Sequence, residues 1–218
     1  TEEIVLRLTR SIRQEFGLYN LCLAGGVALN CVANGKLLRG DVFDNIWVQP
    51  ASGDAGGAIG AALAAYHLML DKPRTVNPGD AMNGSYLGPD YAQHDIEERL
   101  KAIGAVYTVV SEDNLIAETA RALAEGKAVG WHQGRMEFGP RALGNRSILV
   151  LAKSRNNQKR VNLKIKYRES FRPFAPVMLS EASVKYFNST LGSTFMQYVE
   201  CLDLDKRVDY VATAQLVN

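Results

Sequence analysis

The residues best suited to chemistry in this 218-residue chain lie in a glycine-punctuated segment, Gly130–Ser147. Arg135, Arg141 and Arg146 fall within twelve residues of one another there. A guanidinium group binds phosphate or carboxylate through two parallel N–H bonds, and nearby glycines let an anion approach the main chain. The segment therefore predicts an anion site. The alternative is that the three arginines are structural ion-pair partners.

A second cationic cluster follows in Lys164–Pro176. Lys166 and Arg168 alternate, so they share one face of an extended segment. Arg172 precedes Pro173, which biases it towards an extended conformation. This cluster could converge with the first on one polyphosphate.

The charge distribution supports an anionic partner. Residues 131–172 contain eleven Lys and Arg but only Glu137 and Glu169 as acids, a net charge of +9, whereas the rest of the chain carries −7. Such a segment indicates a nucleotide, a phosphorylated substrate or a nucleic acid. The alternative is a solvated basic face.

Two glycine-rich turns occur earlier. In Leu21–Asn30 an apolar run ends at Gly25-Gly26 and a helix is predicted to follow, an arrangement that suits phosphate binding or a plain tight turn. It is not a Walker A loop, because Asn30 stands where the first glycine should be and Leu37 where Ser or Thr should be.

The second turn, Gln49–Gly60, is not a GxGxxG dinucleotide motif. Asp54 follows a predicted strand and precedes a helix, so it could bind a metal or cap that helix. Any metal site is incomplete, because His67, His94 and His132 are far apart and no HxxxH motif occurs.

Apolar spacing predicts the elements that position these residues. The first part should contain helices over Glu2–Phe16, Leu29–Leu38 and Ala58–Leu70, and strands over Leu21–Ala24 and Asn45–Val48. Asp71–Ser85, with two prolines and two glycines, is predicted to be a linker. Beyond it we expect helices over Gln93–Ile103, Asp113–Glu125, Asn156–Lys166 and Glu181–Phe187, and strands over Ala105–Val110, Ala128–His132, Ser147–Leu151 and Ala175–Leu179. The alternation favours a mixed α/β fold.

Composition excludes several classes. With 47% apolar and 22% charged residues, the chain is not disordered, collagen-like or a coiled coil. The longest uncharged stretch, Ala55–Leu70, is shorter than the ~20 residues of a membrane span. We therefore expect no membrane association. The three cysteines have no paired spacing, so we expect free thiols and a cytoplasmic location.

Four motifs together resemble the carbamoyltransferases of the nodulation and antibiotic-tailoring type. They are GGVALN at Gly25–Asn30, SGDAGGAIGAAL at Ser52–Leu63, GRMEFGPRALGNRSIL at Gly134–Leu149 and KYRESFRPFAP at Lys166–Pro176. The resemblance implies two domains, both truncated here. Residues 1–75 would be the C-terminal part of an actin-like ATPase (ribonuclease-H-like) carbamoyl-transfer domain. Residues 76–218 would be most of an open-sheet α/β domain like threonylcarbamoyl-AMP synthase, which forms carbamoyl-adenylate.

The resemblance also implies residue roles. Gly25, Gly26 and Asn30 match a nucleotide-binding loop, and Asp54 matches a metal ligand, with iron the expected metal. Lys166 and Arg168 match a KxR element. On this basis we assign catalytic roles in carbamoyl activation to Arg141, Arg146, Lys166 and Arg168, and substrate binding to His132, Arg135, Asn145, Ser147 and Arg172.

The implied reaction is ATP-dependent O-carbamoyl transfer from carbamoyl phosphate, through carbamoyl-adenylate, to a hydroxyl-bearing acceptor. We expect this chain to be an inactive fragment of such an enzyme, because the histidine ligands and the end of the second domain are missing. Two alternatives are an RNA-binding module that uses the basic segment 131–172 and a fragment of an actin-like metabolite kinase. Nucleic acid is the less favoured partner, and homodimerisation is left open.

Overall fold

The first helix follows from the four-residue apolar spacing. In the computed structural model, residues 1–183, 185–187 and 193–202 are described. α1 spans Glu2–Phe16, as predicted, and ends at Gly17, whose φ of 65° is the left-handed conformation of a helix C-cap.

Two parallel strands form a small sheet. β1, Asn20–Leu23, pairs with β2, Asn45–Val48, and Leu23 lies opposite Val48. α2, Cys31–Leu38, connects them after a short 3-10 turn over Gly26–Leu29. Both predicted strands are therefore confirmed to within one residue. The helix predicted over Leu29–Leu38 begins two residues later, at Cys31, because Leu29 ends the 3-10 turn and Asn30 precedes the helix.

The alanine-rich helix begins earlier than predicted. α3 spans Asp54–Ala64 and continues into a π turn over Ala65–Met69, whereas the sequence placed the start at Ala58. An acidic residue in the first turn is favourable because it faces the positive end of the helix dipole. Asp54 supplies that charge, and the glycines that follow it are accommodated within the helix.

The later elements are mostly those predicted. α4 spans Gln93–Ala102, α5 Glu112–Ala124, β3 Val129–His132, β4 Arg146–Leu149, α6 Arg155–Lys164 and α7 Ser180–Ser183. β3 and β4 pair in antiparallel orientation, with His132 opposite Arg146. The predicted linker is largely irregular, apart from a 3-10 turn over Asn83–Ser85.

Two predicted strands are wrong. Ala105–Val110 and Ala175–Leu179 are irregular, and Val106 is fully exposed. A β-branched run favours an extended chain, but a strand also needs a neighbouring strand, and neither segment has one among the described residues. The helix predicted over Glu181–Phe187 is shortened to α7, and Val184 lies outside the described residues.

The chain divides into two compact units. Unit 1 contains Thr1–Leu87, Glu137–Arg141 and the described residues of Phe187–Cys201. Unit 2 contains Gly88–Met136, Leu202 and the described residues of Ala142–Tyr186. The mixed α/β fold class is confirmed. The division into functional domains at residues 75 and 76 stays a prediction, because these units are defined by packing alone.

The buried hydrophobic residues of the described part lie almost entirely in unit 1. They include Ala33, Leu37, Val48 and Ala51, whereas unit 2 contributes Val161. No described helix has both the length and the apolar composition needed to cross a bilayer. The three cysteines are free, as the sequence predicts.

Candidate functional site

The parallel pair brings the two glycine-rich turns together. β1 ends at Leu23 and β2 at Val48, and the backbone N–H of Gln49 donates to the Leu23 carbonyl over 3.0 Å. The turns at 24–30 and 49–54 therefore start side by side at the carboxyl edge of one sheet. In α/β proteins this edge is where ligands bind.

The first turn depends on Gly25 and Asn30. Gly25 has φ 91° and ψ 165°, a conformation that L side chains rarely adopt. The Oδ1 atom of Asn30 accepts hydrogen bonds from the backbone N–H groups of Val32, at 3.2 Å, and Ala33, at 3.1 Å. Asn30 is thus the N-cap of α2. Nucleotide binding by Gly25, Gly26 and Asn30 stays a prediction.

The second turn is closed by local hydrogen bonds. The Ser52 hydroxyl donates to the Gln49 carbonyl over 2.6 Å, and the Ala51 N–H donates to Gln49 Oε1 over 3.1 Å. A Cβ atom on Gly56 would lie 2.2 Å from the Ala51 carbonyl oxygen, so α3 packs directly on the turn. This contact requires glycine at position 56.

Asp54 is exposed at the first residue of α3. It does not cap the helix, because Gly53 holds the N-cap position and no side chain caps it. In the part of the chain that the structure describes, no three His, Cys, Asp or Glu side chains come together as a metal site would need. Asp54 therefore does not form a complete metal site with other described residues, and its role as a ligand stays a prediction.

A third segment of unit 1 comes from the long arginine motif. The Phe138 N–H donates to the Ser85 carbonyl over 2.6 Å. A Cβ atom on Gly139, whose φ is 133°, would lie 3.3 Å from Ala51 Cβ. Arg141 Nη2 donates to the Leu29 carbonyl over 2.9 Å. The segment 137–141 therefore lies against both glycine-rich turns.

This placement changes the context of Arg141. The resemblance placed Arg141 within the second domain, residues 76–218, with a role in carbamoyl activation, but the structure places it in unit 1 beside the first turn. Its Nε atom is buried without a hydrogen-bond partner among the described residues. A catalytic role for Arg141 stays a prediction, now next to Gly25 and Gly26.

In unit 2, Arg146 is engaged with the main chain. Its Nη1 atom donates to the carbonyls of Gln133, at 2.7 Å, and Asn145, at 3.0 Å, and its Nη2 atom donates to Gly134 over 3.1 Å. The planar guanidinium thus links the backbone carbonyls at the two ends of the loop between β3 and β4. These contacts give Arg146 a structural role besides the catalytic role that the sequence predicts.

The neighbouring candidates extend this arrangement. Asn145 Nδ2 donates to the Arg135 carbonyl over 2.7 Å, and the Ser147 hydroxyl accepts the Gly144 N–H over 3.0 Å. Arg135 Nη1 donates to the Gly88 carbonyl over 3.1 Å. His132 is exposed at the end of β3. Arg135, Asn145, Arg146 and Ser147 are therefore brought together, held mainly by carbonyl oxygens instead of carboxylates.

The second cationic cluster is organised by α6. Asn162, which is fully buried, donates through Nδ2 to the carbonyls of Ser170, at 3.2 Å, and Arg172, at 2.9 Å. Its Oδ1 accepts the Arg168 Nε–H over 2.7 Å. The Arg168 guanidinium also lies 5.2 Å from the centre of the Phe174 ring. Asn162 thus fixes the segment that carries Lys166, Arg168 and Arg172.

Two charged groups of this segment differ in their pairing. Arg172 forms an ion pair with Glu169 at 2.8 Å. The pKa of Glu169 is lowered, first by a hydrogen bond from its own backbone and then by Arg172. Lys166 is exposed and its ammonium group has no partner among the described residues. Lys166 is therefore the candidate in this segment most available to a phosphate group.

Two buried amides were missed by sequence reasoning. Asn34 in α2 is 1% exposed, and Gln197 is 7% exposed. Asn34 Nδ2 donates to the Gln197 carbonyl over 3.1 Å, although the residues are 163 positions apart. No motif or periodicity marks this pair, since its signal exists only in the folded chain.

Comparison with known proteins matches both parts of the chain. The Carbamoyltransferase N-terminus family model matches residues 1–63, and the Carbamoyltransferase C-terminus model matches residues 120–215. The segment 137–141, which packs in unit 1, therefore belongs to the C-terminus match.

Similar proteins include two with nodulation names. An uncharacterized protein of Synechocystis sp. is 57% identical over 91% of this chain and 33% of its own length. Nodulation protein NolO of Bradyrhizobium diazoefficiens is 43% identical over 91% of this chain and 36% of its own length. Nodulation protein NolNO of Sinorhizobium fredii is 41% identical over 94% of this chain and 30% of its own length.

The chain thus spans about a third of the length of these curated relatives. The motifs that suggested the resemblance, including GGVALN and KYRESFRPFAP, fall inside the two matched regions. Family models for both termini match, and they do so in their expected order along the sequence. The chain belongs to the carbamoyltransferase family.

Proposed function

We propose that the protein containing this chain transfers a carbamoyl group from carbamoyl phosphate to a hydroxyl group, with ATP-derived carbamoyl-adenylate as intermediate. The observation that carries the proposal is the match of residues 1–63 and 120–215 to the two carbamoyltransferase models. Unit 1 would belong to an actin-like domain, and unit 2 to a domain like threonylcarbamoyl-AMP synthase. The acceptor would be a sugar-bearing or other natural-product alcohol.

The proposed reaction has two steps. In the first, water cleaves carbamoyl phosphate into carbamate and phosphate. A carbamate oxygen then attacks the α-phosphorus of ATP, and pyrophosphate leaves. In the second step, the acceptor oxygen attacks the carbamoyl carbon, AMP leaves, and the hydroxyl proton passes to solvent. The products are the carbamate ester, AMP, pyrophosphate and phosphate.

Unit 2 offers groups for the first step. Carbamoyl phosphate and ATP bring several negative charges together, which fixed cations must offset in the transition state. Lys166 is exposed without a described partner, and Arg168 is held by Asn162. In our proposal these two residues bind the phosphates, and Arg146 maintains the shape of the loop between β3 and β4.

Unit 1 offers groups for the second step. Gly25 and Gly26 would admit the AMP phosphate to the main chain. Arg141 lies beside this turn through its bond to Leu29 and would stabilise charge on the departing phosphate. Asp54 is the proposed ligand of the metal that the family resemblance implies, iron, and no further side chains among the described residues complete that site.

The test is pyrophosphate release by the full-length protein. We expect release only when carbamoyl phosphate and ATP are both present, with carbamoyl-adenylate detected by mass spectrometry. Controls omit each substrate in turn. Salt-sensitive binding of an unstructured RNA without pyrophosphate release would instead favour an RNA-binding module. Formation of ADP and a phosphorylated alcohol would favour a metabolite kinase.

A further inference from the structure

A buried amide in α2 joins two distant parts of unit 1. Asn34 is 1% exposed, and its Nδ2 group donates to the Ala28 carbonyl over 2.7 Å and to the Gln197 carbonyl over 3.1 Å. Ala28 lies in the 3-10 turn that follows Gly25-Gly26. One side chain therefore fixes the first glycine-rich turn to the segment around Gln197.

The second amide continues this connection to the other turn. Gln197 is 7% exposed, and its Nε2 group donates to the Val48 carbonyl over 2.7 Å. Val48 is the last residue of β2, immediately before the turn at 49–54. The hydrogen bonds thus run from the Ala28 carbonyl through Asn34 and Gln197 to the Val48 carbonyl.

Close packing leaves little freedom for this arrangement. A Cβ atom on Gly35 would lie 2.7 Å from the Val199 carbonyl oxygen, so the segment around Gln197 touches the backbone of α2 directly. Arg39 Nη1 donates to the same carbonyl over 2.7 Å. Tyr198 donates its hydroxyl to the Ile46 carbonyl over 3.3 Å. The two residues that follow Gln197 are therefore held against α2 and β2.

We propose that Asn34 and Gln197 are positioning residues, which form a buried amide clip that holds the turns at 25–30 and 49–54 in register for a nucleotide monophosphate. This inference rests on the proposed function, because nucleotide binding at these turns is part of it. A buried carbonyl that loses its donor costs free energy, so the turns would shift to regain a partner when either amide is removed. The segment that supplies Gln197 belongs to the C-terminus family match, so that region would complete a site in unit 1.

The test is hydrogen–deuterium exchange of the full-length protein during titration with 5′-AMP. In the wild type, we expect AMP to protect the peptides that cover 25–34 and 49–57. Gln197→Leu keeps the side-chain bulk but removes the donor to Val48. We expect it to raise the AMP concentration at half-protection by about tenfold, as loss of one buried hydrogen bond would.

A pH profile separates positioning from simple destabilisation. In Gln197→Glu, a protonated carboxyl can donate to the Val48 carbonyl, but a carboxylate cannot. Burial next to a carbonyl raises the pKa of such a carboxyl, because the charged form is disfavoured. We therefore expect the AMP midpoint of Gln197→Glu to approach that of the wild type as the pH falls from 8 to 6. The two proteins are compared at the same pH, because the AMP phosphate itself titrates at about pH 6.

Two controls and three outcomes make the experiment decisive. Gln93→Leu removes an exposed amide on α4, and Val161→Ala destabilises unit 2; both should leave the AMP midpoint unchanged.

No protection of either turn in the wild type would overturn the nucleotide assignment, and the clip with it. Protection in the wild type with an equal midpoint in Gln197→Leu would overturn the clip alone. The clip would be supported if the AMP midpoint is higher in Gln197→Leu than in the wild type, and if the midpoint of Gln197→Glu falls back towards the wild-type value at low pH.

Discussion

The two units hold their candidate residues by different means. In unit 1, the turns at 25–30 and 49–54 are fixed by buried amides and by close backbone contacts at Gly35 and Gly56. In unit 2, the residues that directly follow β3 are held by the side chains of Arg135 and Arg146, which donate to backbone carbonyl oxygens.

The difference teaches what each unit should tolerate. A site built on close packing loses its geometry when volume changes by even one methyl group. A loop held by long charged side chains instead depends on the fork of the guanidinium group. Elsewhere in unit 2, the exposed ion pair between Arg172 and Glu169 should respond to salt and pH. Unit 1 should therefore be sensitive to packing substitutions, and unit 2 to changes of side-chain charge and geometry.

The largest expected effect is in the core of unit 1. Leu37 is fully buried in α2, so Leu37→Ala should lower the free energy of unfolding by about 2–5 kcal/mol. The matched control is Leu163→Ala in α6, where the side chain is 54% exposed and the cost should stay within about 0.5 kcal/mol. Urea unfolding curves give both values, and equal losses would contradict the difference in burial between Leu37 in α2 and Leu163 in α6.

The next effect concerns the contact between α3 and the second turn. Gly56→Ala places a methyl group against the Ala51 carbonyl and should cost about 1–3 kcal/mol of unfolding free energy. A Cβ atom on Gly57 would have no described atom within 4 Å, so Gly57→Ala should stabilise α3 by up to about 1 kcal/mol. Opposite signs in chemical unfolding would support the close contact, and the same sign would contradict it.

A third substitution tests how unit 2 uses Arg146. Arg146→Lys keeps the charge but cannot donate to three carbonyls in a plane. Pyrophosphate release by the full-length protein should fall about tenfold, almost as far as in Arg146→Ala, because the loop loses one or two hydrogen bonds worth about 1 kcal/mol each. If Arg146→Lys retains full activity, the role of Arg146 is its charge and not its geometry.

The smallest effect is the titration of Glu169. Its pKa is lowered in the folded chain, so its contribution to stability is present above the pKa of the unfolded chain and is lost as pH falls through the lower folded pKa. Arg172→Gln should raise the Glu169 pKa only part of the way to its ordinary value, because the backbone hydrogen bond, which is the larger cause of the lowered pKa, remains. An NMR titration of the carboxyl carbon measures this, and a pKa that does not move on substitution would argue against the ion pair.

Much of the first part of the fold could be predicted from the sequence. The spacing of Ile4, Leu8, Ile12 and Phe16 predicts α1, and the short apolar runs predict β1 and β2. These features are local, so a sequence shows them directly. Ala105–Val110 has the composition of a strand but is irregular, because composition does not reveal whether a neighbouring strand exists.

The candidate site was only partly predictable. The glycine turns and the cationic segments follow from residue types, but the contact of Arg141 with Leu29 spans 112 positions and that of Gln197 with Val48 spans 149. The continuous motif at 134–149 gives no sign that residues 137–141 pack in unit 1 while their neighbours pack in unit 2. Such partners depend on tertiary packing, which a single sequence does not show.

The division of the two chemical steps between the two units is tested most directly by comparing Arg141→Gln with Lys166→Ala in the full-length protein. The quantity measured is pyrophosphate released from ATP in the presence of carbamoyl phosphate. We predict that Lys166→Ala lowers this release at least tenfold, since it removes from unit 2 a cation without a described partner. Arg141→Gln should leave the release close to that of the wild type, because Arg141 lies in unit 1 beside the first turn. Loss of pyrophosphate release in Arg141→Gln as severe as in Lys166→Ala would contradict the division.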